Sequence, residues 1–172
     1  MSQLVALSLS IGLLGGVFTA LYIPLGLSVW AGFIAWGCFF HCGGNTDALK
    51  QTIVGNTFGA VMAWIAAWLI LSTPLATSLG LPVGAGIVVG LTVFALCMAA
   101  HIKLLSSIPA SVYGYAATFA ILLIDAQRMA LADLLAIDYH RNAMLQVIVS
   151  MAGGAIFGLL SGKLAGVLGK KA

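Results

Sequence analysis

The chain has 172 residues, 62% of them hydrophobic and 6% charged, with a formal net charge of +3. Soluble domains carry about 25% charged residues, so this chain lacks the polar surface to cover itself in water and reads as an all-α integral membrane protein. The small, scattered charge excludes nucleic acid as a partner and leaves the lipid bilayer.

The length gives room for a single transmembrane domain over 1–172, with about six spans of about 20 residues each. Leu4–Ile23 is expected as the first span, with Gly12, Gly15 and Gly16 forming a small-residue face. The N-terminal residues lack a basic region, which favours a retained helix over a cleaved signal peptide. Pro24 and Gly26 make a tight link to a second span at Leu27–Phe40. Polar residues at Cys42–Gln51 end that span, with Asp47 as the expected N-cap of the next.

Thr52–Leu71 is the third span, and Ser72–Leu81 a short external loop. Pro82–Ala100 is the fourth, followed by a turn at His101–Lys103. Leu104–Ile124 is the fifth. An external loop follows at about 125–142, and Met129–Ile137 is expected to lie there as a short interfacial helix. Ala143–Leu168 is the sixth span. Lys50, Lys103, Lys163, Lys170 and Lys171 then fall on one side, and Arg128 and Arg141 with three Asp on the other. Basic residues concentrate on the cytoplasmic side, which predicts both termini there.

Short signatures recur in the same order in two halves, about 1–75 and 80–172. Val17-Phe18-Thr19-Ala20-Leu21 matches Val93-Phe94-Ala95-Leu96. Ser28-Val29-Trp30-Ala31-Gly32-Phe33 matches Ser111-Val112-Tyr113-Gly114-Tyr115. Gly55-Asn56-Thr57-Phe58-Gly59 matches Gly154-Ala155-Ile156-Phe157-Gly158. Three spans per half is an odd number, so the second half is expected upside down: a 3+3 inverted repeat, as in many transporters and channels.

Gly154, Gly158, Gly162 and Gly166 recur every four residues, and Gly55/Gly59 and Gly86/Gly90 repeat the spacing. Small residues at this interval let helices pack closely in lipid, within one bundle or between subunits of a homo-oligomer. Trp30, Phe33, Trp36 and Phe40 share a stripe of the second span. They are placed to line a narrow path that selects small solutes by size, although such residues more often fill a core or form an interfacial belt.

Between Met1 and Thr46, and between Gln51 and Ile102, no charged side chain occurs. Proton relays and ion-coupled pumps place ionisable groups in the bundle; here the polar groups are neutral. Ser28, Asn56, Ser111 and Thr118, with Tyr113 and Tyr115, complete the candidate lining. Thr57, Thr92, Gln146 and Ser150 are further neutral groups. Bonding to neighbouring backbone explains them too.

Cys38, His41 and Cys42 lie at i, i+3 and i+4, and Cys97 and His101 at i, i+4. Thiols and imidazoles at such spacing suit a soft metal. Packing of the thiols and headgroup contact of the imidazoles account for them as well. An odd three cysteines is no disulfide framework. No Ser-His-Asp set, carboxylate pair or phosphate loop is present, and Asp138 and His140, in a mobile external loop, make a poor catalytic case; the chain is not expected to be an enzyme or to need a cofactor.

The stretches LSVWAGFIAWGCFF at 27–40, LLSSIPASVYGYAATFA at 104–120 and GGAIFGLLSG at 153–162 carry a resemblance. Across most of its length the chain resembles a family of small bacterial inner-membrane proteins of unknown function, the domain-of-unknown-function family ten-ninety-seven. The resemblance implies a polytopic protein of the bacterial inner membrane and brings no activity or site residues. His41-Cys42 is not expected across that family, which weakens a general metal role. The leading expectation is a small channel or facilitator for a small, mostly uncharged solute, its path where Trp30–Phe40 and Tyr113–Phe119 approach. A non-transporting scaffold or accessory subunit, and a cytoplasmic-face metal or redox site, are the alternatives.

Overall fold

A computed structural model describes residues 1–124 and 129–169 of the chain. Among them all regular structure is helical: α1 Gln3–Tyr22, α2 Val29–His41, α3 Thr46–Ser72, α4 Leu75–Leu79, α5 Leu81–Met98, α6 Ile108–Ile124, α7 Leu131–Leu134 and α8 Ala143–Leu168. Short 3-10 turns at Ala99–His101 and Lys103–Leu105 link α5 to α6. Four helices are long and apolar enough to cross a membrane: α1, α3, α8, and α5 with its following turn, at 20, 27, 26 and 21 residues.

The other two expected spans are shorter. α2 has 13 residues and α6 has 17, about 20 and 26 Å at 1.5 Å per residue, against about 30 Å of hydrocarbon. α2 starts late because Ile23–Ser28 is taken up by a turn, in which Gly26 has φ +64° and the Leu27 N–H donates to the Tyr22 carbonyl at 3.1 Å.

Several boundaries differ from expectation for identifiable reasons. α3 begins at Thr46, capped by Asn45 and not Asp47: Asn45 Oδ1 accepts the Ala48 N–H at 2.9 Å. Gly43 and Gly44, at φ +115° and +67°, adopt a backbone that favours glycine and bring Asn45 to the cap position. Asp47 lies in the first turn, where its charge suits the helix dipole. The short loop after α3 contains α4.

The described part of the long polar loop is tied down. Within Met129–Ile137 only Leu131–Leu134 is helical, and Leu134 is buried. Its carbonyl accepts Trp64 Nε1 at 2.7 Å and Asn142 Nδ2 at 2.9 Å. Arg141 pairs with Asp133 at 2.7 Å, and Asp138 Oδ1 accepts the His140 N–H at 2.9 Å. Asp125 and Arg128, and Lys170 and Lys171 of the orientation argument, lie outside the described residues.

The chain divides into two compact units, Met1–Ile53 with Val149–Ala172, and Val54–Ile148. In the first, α1, α2 and α8 bury Phe18, Tyr22 and Trp36, with Leu14, Phe40 and Phe157 packed against them. In the second, α3, α5 and α6 bury Ala63, Ala66, Ile70, Val88, Leu96 and Tyr115, with Phe58, Met62 and Phe119 alongside. Outward positions carry large apolar side chains, Leu4, Leu13, Leu91 and Phe94 each at least 60% exposed, a surface suited to lipid.

Candidate functional site

Each unit places a short helix along a long one. In the first, α2 runs beside α8. A Cβ on Gly32 would lie 3.2 Å from the Ser150 carbonyl oxygen, and one on Gly154 would run into the Gly32 backbone. Further along, Trp36 Nε1 donates to Ser161 Oγ at 3.0 Å. In the second, α6 runs beside α3. A Cβ on Gly59 would run into the Ser111 carbonyl and lie 2.7 Å from Tyr115 N; one on Gly114 would run into the Asn56 carbonyl. Of the glycines spaced by four, Gly55, Gly59 and Gly154 bring backbone against backbone, Gly158 meets the Phe39 side chain, and Gly86, Gly90 and Gly166 have nothing within 4 Å.

The level of these contacts matters. Gly59 is the central residue of α3, and Gly154 lies next to the centre of α8. Their partners, Ser111 and Gly32, are each the fourth residue of their helix. Both short helices therefore begin within about 6 Å, four residues at 1.5 Å, of the level at which they meet the middle of a long one.

At the start of α2 the backbone is held by one serine. The Ser28 N–H donates to Ser150 Oγ at 3.0 Å, and Tyr22 Oη donates to the Ser150 carbonyl at 3.0 Å. This clasp satisfies polar groups that lipid would leave bare.

The candidate lining separates into open and packed positions. Trp30 and Phe33 are 38% and 41% exposed, and Ser28, Phe40 and Tyr113 are half-buried. Trp36 is buried, stacked on Phe33 at 5.6 Å and edge-on to Phe18 at 5.9 Å. Tyr115 is buried with its hydroxyl 2.9 Å from Thr92 Oγ1. Thr118 donates to the Gly114 carbonyl at 3.0 Å. Ser111 and Asn56 are buried in the α3–α6 seam. The stripe from Trp30 to Phe40 is thus one face open at Trp30 and Phe33 and closed at Trp36.

Of the sulfur and imidazole candidates, Cys38 is buried, Cys42 and Cys97 are half-buried, and His41 and His101 are exposed. Among the described residues no three His, Cys, Asp or Glu side chains come together as a metal site. Residues that sequence reasoning missed are Tyr22, Trp64, Asn142 and Ser161. Tyr22, Trp64 and Ser161 are polar groups in apolar stretches, the one available signal, and their partners lie far away in sequence; Asn142 ends the polar loop and caps α8 locally, which its place before an apolar run could have signalled.

A family model of proteins of unknown function (DUF1097) matches residues 8–166. The inner membrane protein YcdZ of Escherichia coli (strain K12) is 29% identical over 121 residues, covering 70% of this chain and 71% of that protein. No solved structure matches.

Proposed function

This chain belongs to the DUF1097 family of proteins of unknown function, and we propose that it is an inner-membrane channel or facilitator for a small, mostly uncharged solute. The location follows the name of its relative and its four span-length helices. The observation that carries the transport reading is the pair of short helices, α2 and α6, that begin near the mid-level of long ones. Discontinuous or shortened helices whose N-termini lie at membrane depth are where transporters build substrate sites. The open aromatic face at Trp30 and Phe33, and neutral groups in place of charged ones, favour an uncharged solute selected by size.

The same proposal includes six membrane crossings, cytoplasmic termini and the 3+3 inverted repeat. Supporting the repeat, the first unit holds the first two helices of the first half with the last helix of the second, and the second unit holds the reverse set. A homo-oligomer is part of the reading: Gly12 and Gly16 on α1, and Gly86 and Gly90 on α5, have nothing within 4 Å, and such faces let helices of neighbouring subunits approach.

Proteoliposome swelling with urea, glycerol, short amides and ammonia tests the function. Flux above empty vesicles for at least one is expected, and none for any would remove the proposal. A scaffold or accessory role is the second reading, favoured by the packing of Trp36 and Tyr115 into cores; stoichiometric capture of one membrane partner without flux would establish it.

A further inference from the structure

The inner face of α3 is a stripe of small residues: Ala48, Thr52, Gly55, Asn56, Gly59, Ala60 and Ala63 are all buried. Asn56 stands out within it. The residue is 2% exposed, yet neither Oδ1 nor Nδ2 has a hydrogen-bond partner. One turn earlier, Thr52 Oγ1 has only the Cys38 thiol beside it, a weak partner. A carboxamide can donate twice and accept twice, and leaving it bare in an apolar interior is strongly disfavoured. In the first unit the contact of Gly154 with Gly32 corresponds to that of Gly59 with Ser111, which puts Met151, 1% exposed, where α3 has Asn56. A short helix thus packs on a long one there without an amide.

The surroundings of Asn56 allow access by opening. Its backbone lies against Gly114, and one turn on Gly59 lies against Ser111, so at the level of Asn56 the α3–α6 contact is backbone on backbone with little side chain to interlock, the larger Phe58, Met62, Tyr115 and Phe119 packing beside it. Parting such a seam sacrifices fewer atomic contacts than separating interdigitated leucines. It also gives the unpaired amide partners, so opening is favoured at this point by the same group that the closed form leaves unsatisfied.

We propose that Asn56 is the solute-binding group of the chain, closed off in this conformation, and that on opening of the α3–α6 seam it exchanges hydrogen bonds with a small neutral molecule of the urea and primary-amide class. Such molecules present a donor and an acceptor together, the complement of a carboxamide. The proposal rests on the facilitator reading and assigns it a residue and a substrate class.

The test uses full-length wild type, Asn56→Ala and Asn56→Leu in proteoliposomes, with urea and acetamide as solutes and thermal midpoints measured alongside. Wild-type flux lowered at least tenfold in both variants, with midpoints equal to or above wild type, is the expected result. Wild-type flux that persists unchanged in Asn56→Ala overturns the assignment of Asn56 while leaving the facilitator reading intact. A lowered midpoint with unchanged flux also overturns it, since the amide would then be serving a structural partner such as an internal water. Wild-type vesicles that carry glycerol or ammonia but neither urea nor acetamide overturn the substrate class. Should the variants fail to assemble, solid-state NMR transfer from carbon-13 urea to asparagine side-chain nitrogen-15 in wild type decides: transfer is expected, and its absence overturns the proposal.

Discussion

Gly59→Ala is the sharpest probe of the α3–α6 seam. The added methyl would meet the Ser111 carbonyl and would lie 2.7 Å from Tyr115 N, which is 3.4 − 2.7 = 0.7 Å inside the 3.4 Å where ordinary contact begins. The obstruction is backbone, so no side chain can rotate aside, and the helices must separate or shear. Overpacking of this kind costs about 1–3 kcal/mol, occasionally more, and the backbone contact puts Gly59→Ala at the upper end, about 3 kcal/mol. Gly37→Ala in α2 is the matched control: nothing lies within 4 Å of that glycine, and replacing a helical glycine gains about 0.5–1 kcal/mol. Reversible unfolding in mixed detergent micelles should move the two variants in opposite directions. A Gly59→Ala protein as stable as Gly37→Ala would show that the seam is not closed to backbone distance, and the depth argument for α6 would go with it.

Two further substitutions test polar contacts that hold the units. Ser161→Ala leaves the buried Trp36 Nε1 without its partner at 3.0 Å, and should destabilise by about 1–3 kcal/mol; Trp36 fluorescence that neither shifts nor loses intensity would refute the contact. Asn142→Ala removes the cap of α8, whose Met144 and Leu145 N–H groups donate to Asn142 Oδ1 at 3.0 and 3.3 Å, and takes the Nδ2 donor from the Ala136 carbonyl and from the Leu134 carbonyl, which keeps Trp64 Nε1. A loss of about 2 kcal/mol and faster proteolysis between 131 and 142 are expected, and an unchanged cleavage rate would show that the loop is held by other means.

What sequence makes legible here is what depends on local chemistry. Apolar length places the long helices, and four-residue glycine spacing finds the seams, because both are written within one stretch of chain. The sequence puts the cap of α3 at Asp47, two residues past Asn45, since Gly43-Gly44-Asn45-Thr46-Asp47 offers three capping side chains and only the turn through the two glycines decides among them. The second expected span is shorter because the Ile23–Ser28 turn consumes residues that hydropathy counts as membrane. Trp36 shares a stripe with Phe33, yet its burial is set by Phe157 and Ser161, and periodicity in α2 holds no trace of them. For Asn56 the sequence offers a neutral polar residue in a span; that its amide has no partner depends on what lies opposite, which spacing does not record.

The composition of the first unit has a consequence for biosynthesis. Tyr22, Ser28 and Trp36 find their hydrogen-bond partners 128, 122 and 125 residues later, all on α8. The second unit is one continuous segment, so its helices can associate as they leave the ribosome, whereas contacts distant in sequence close late. Tyr22, Ser28 and Trp36 therefore gain these partners only once α8 has been made, and the first unit closes after the second.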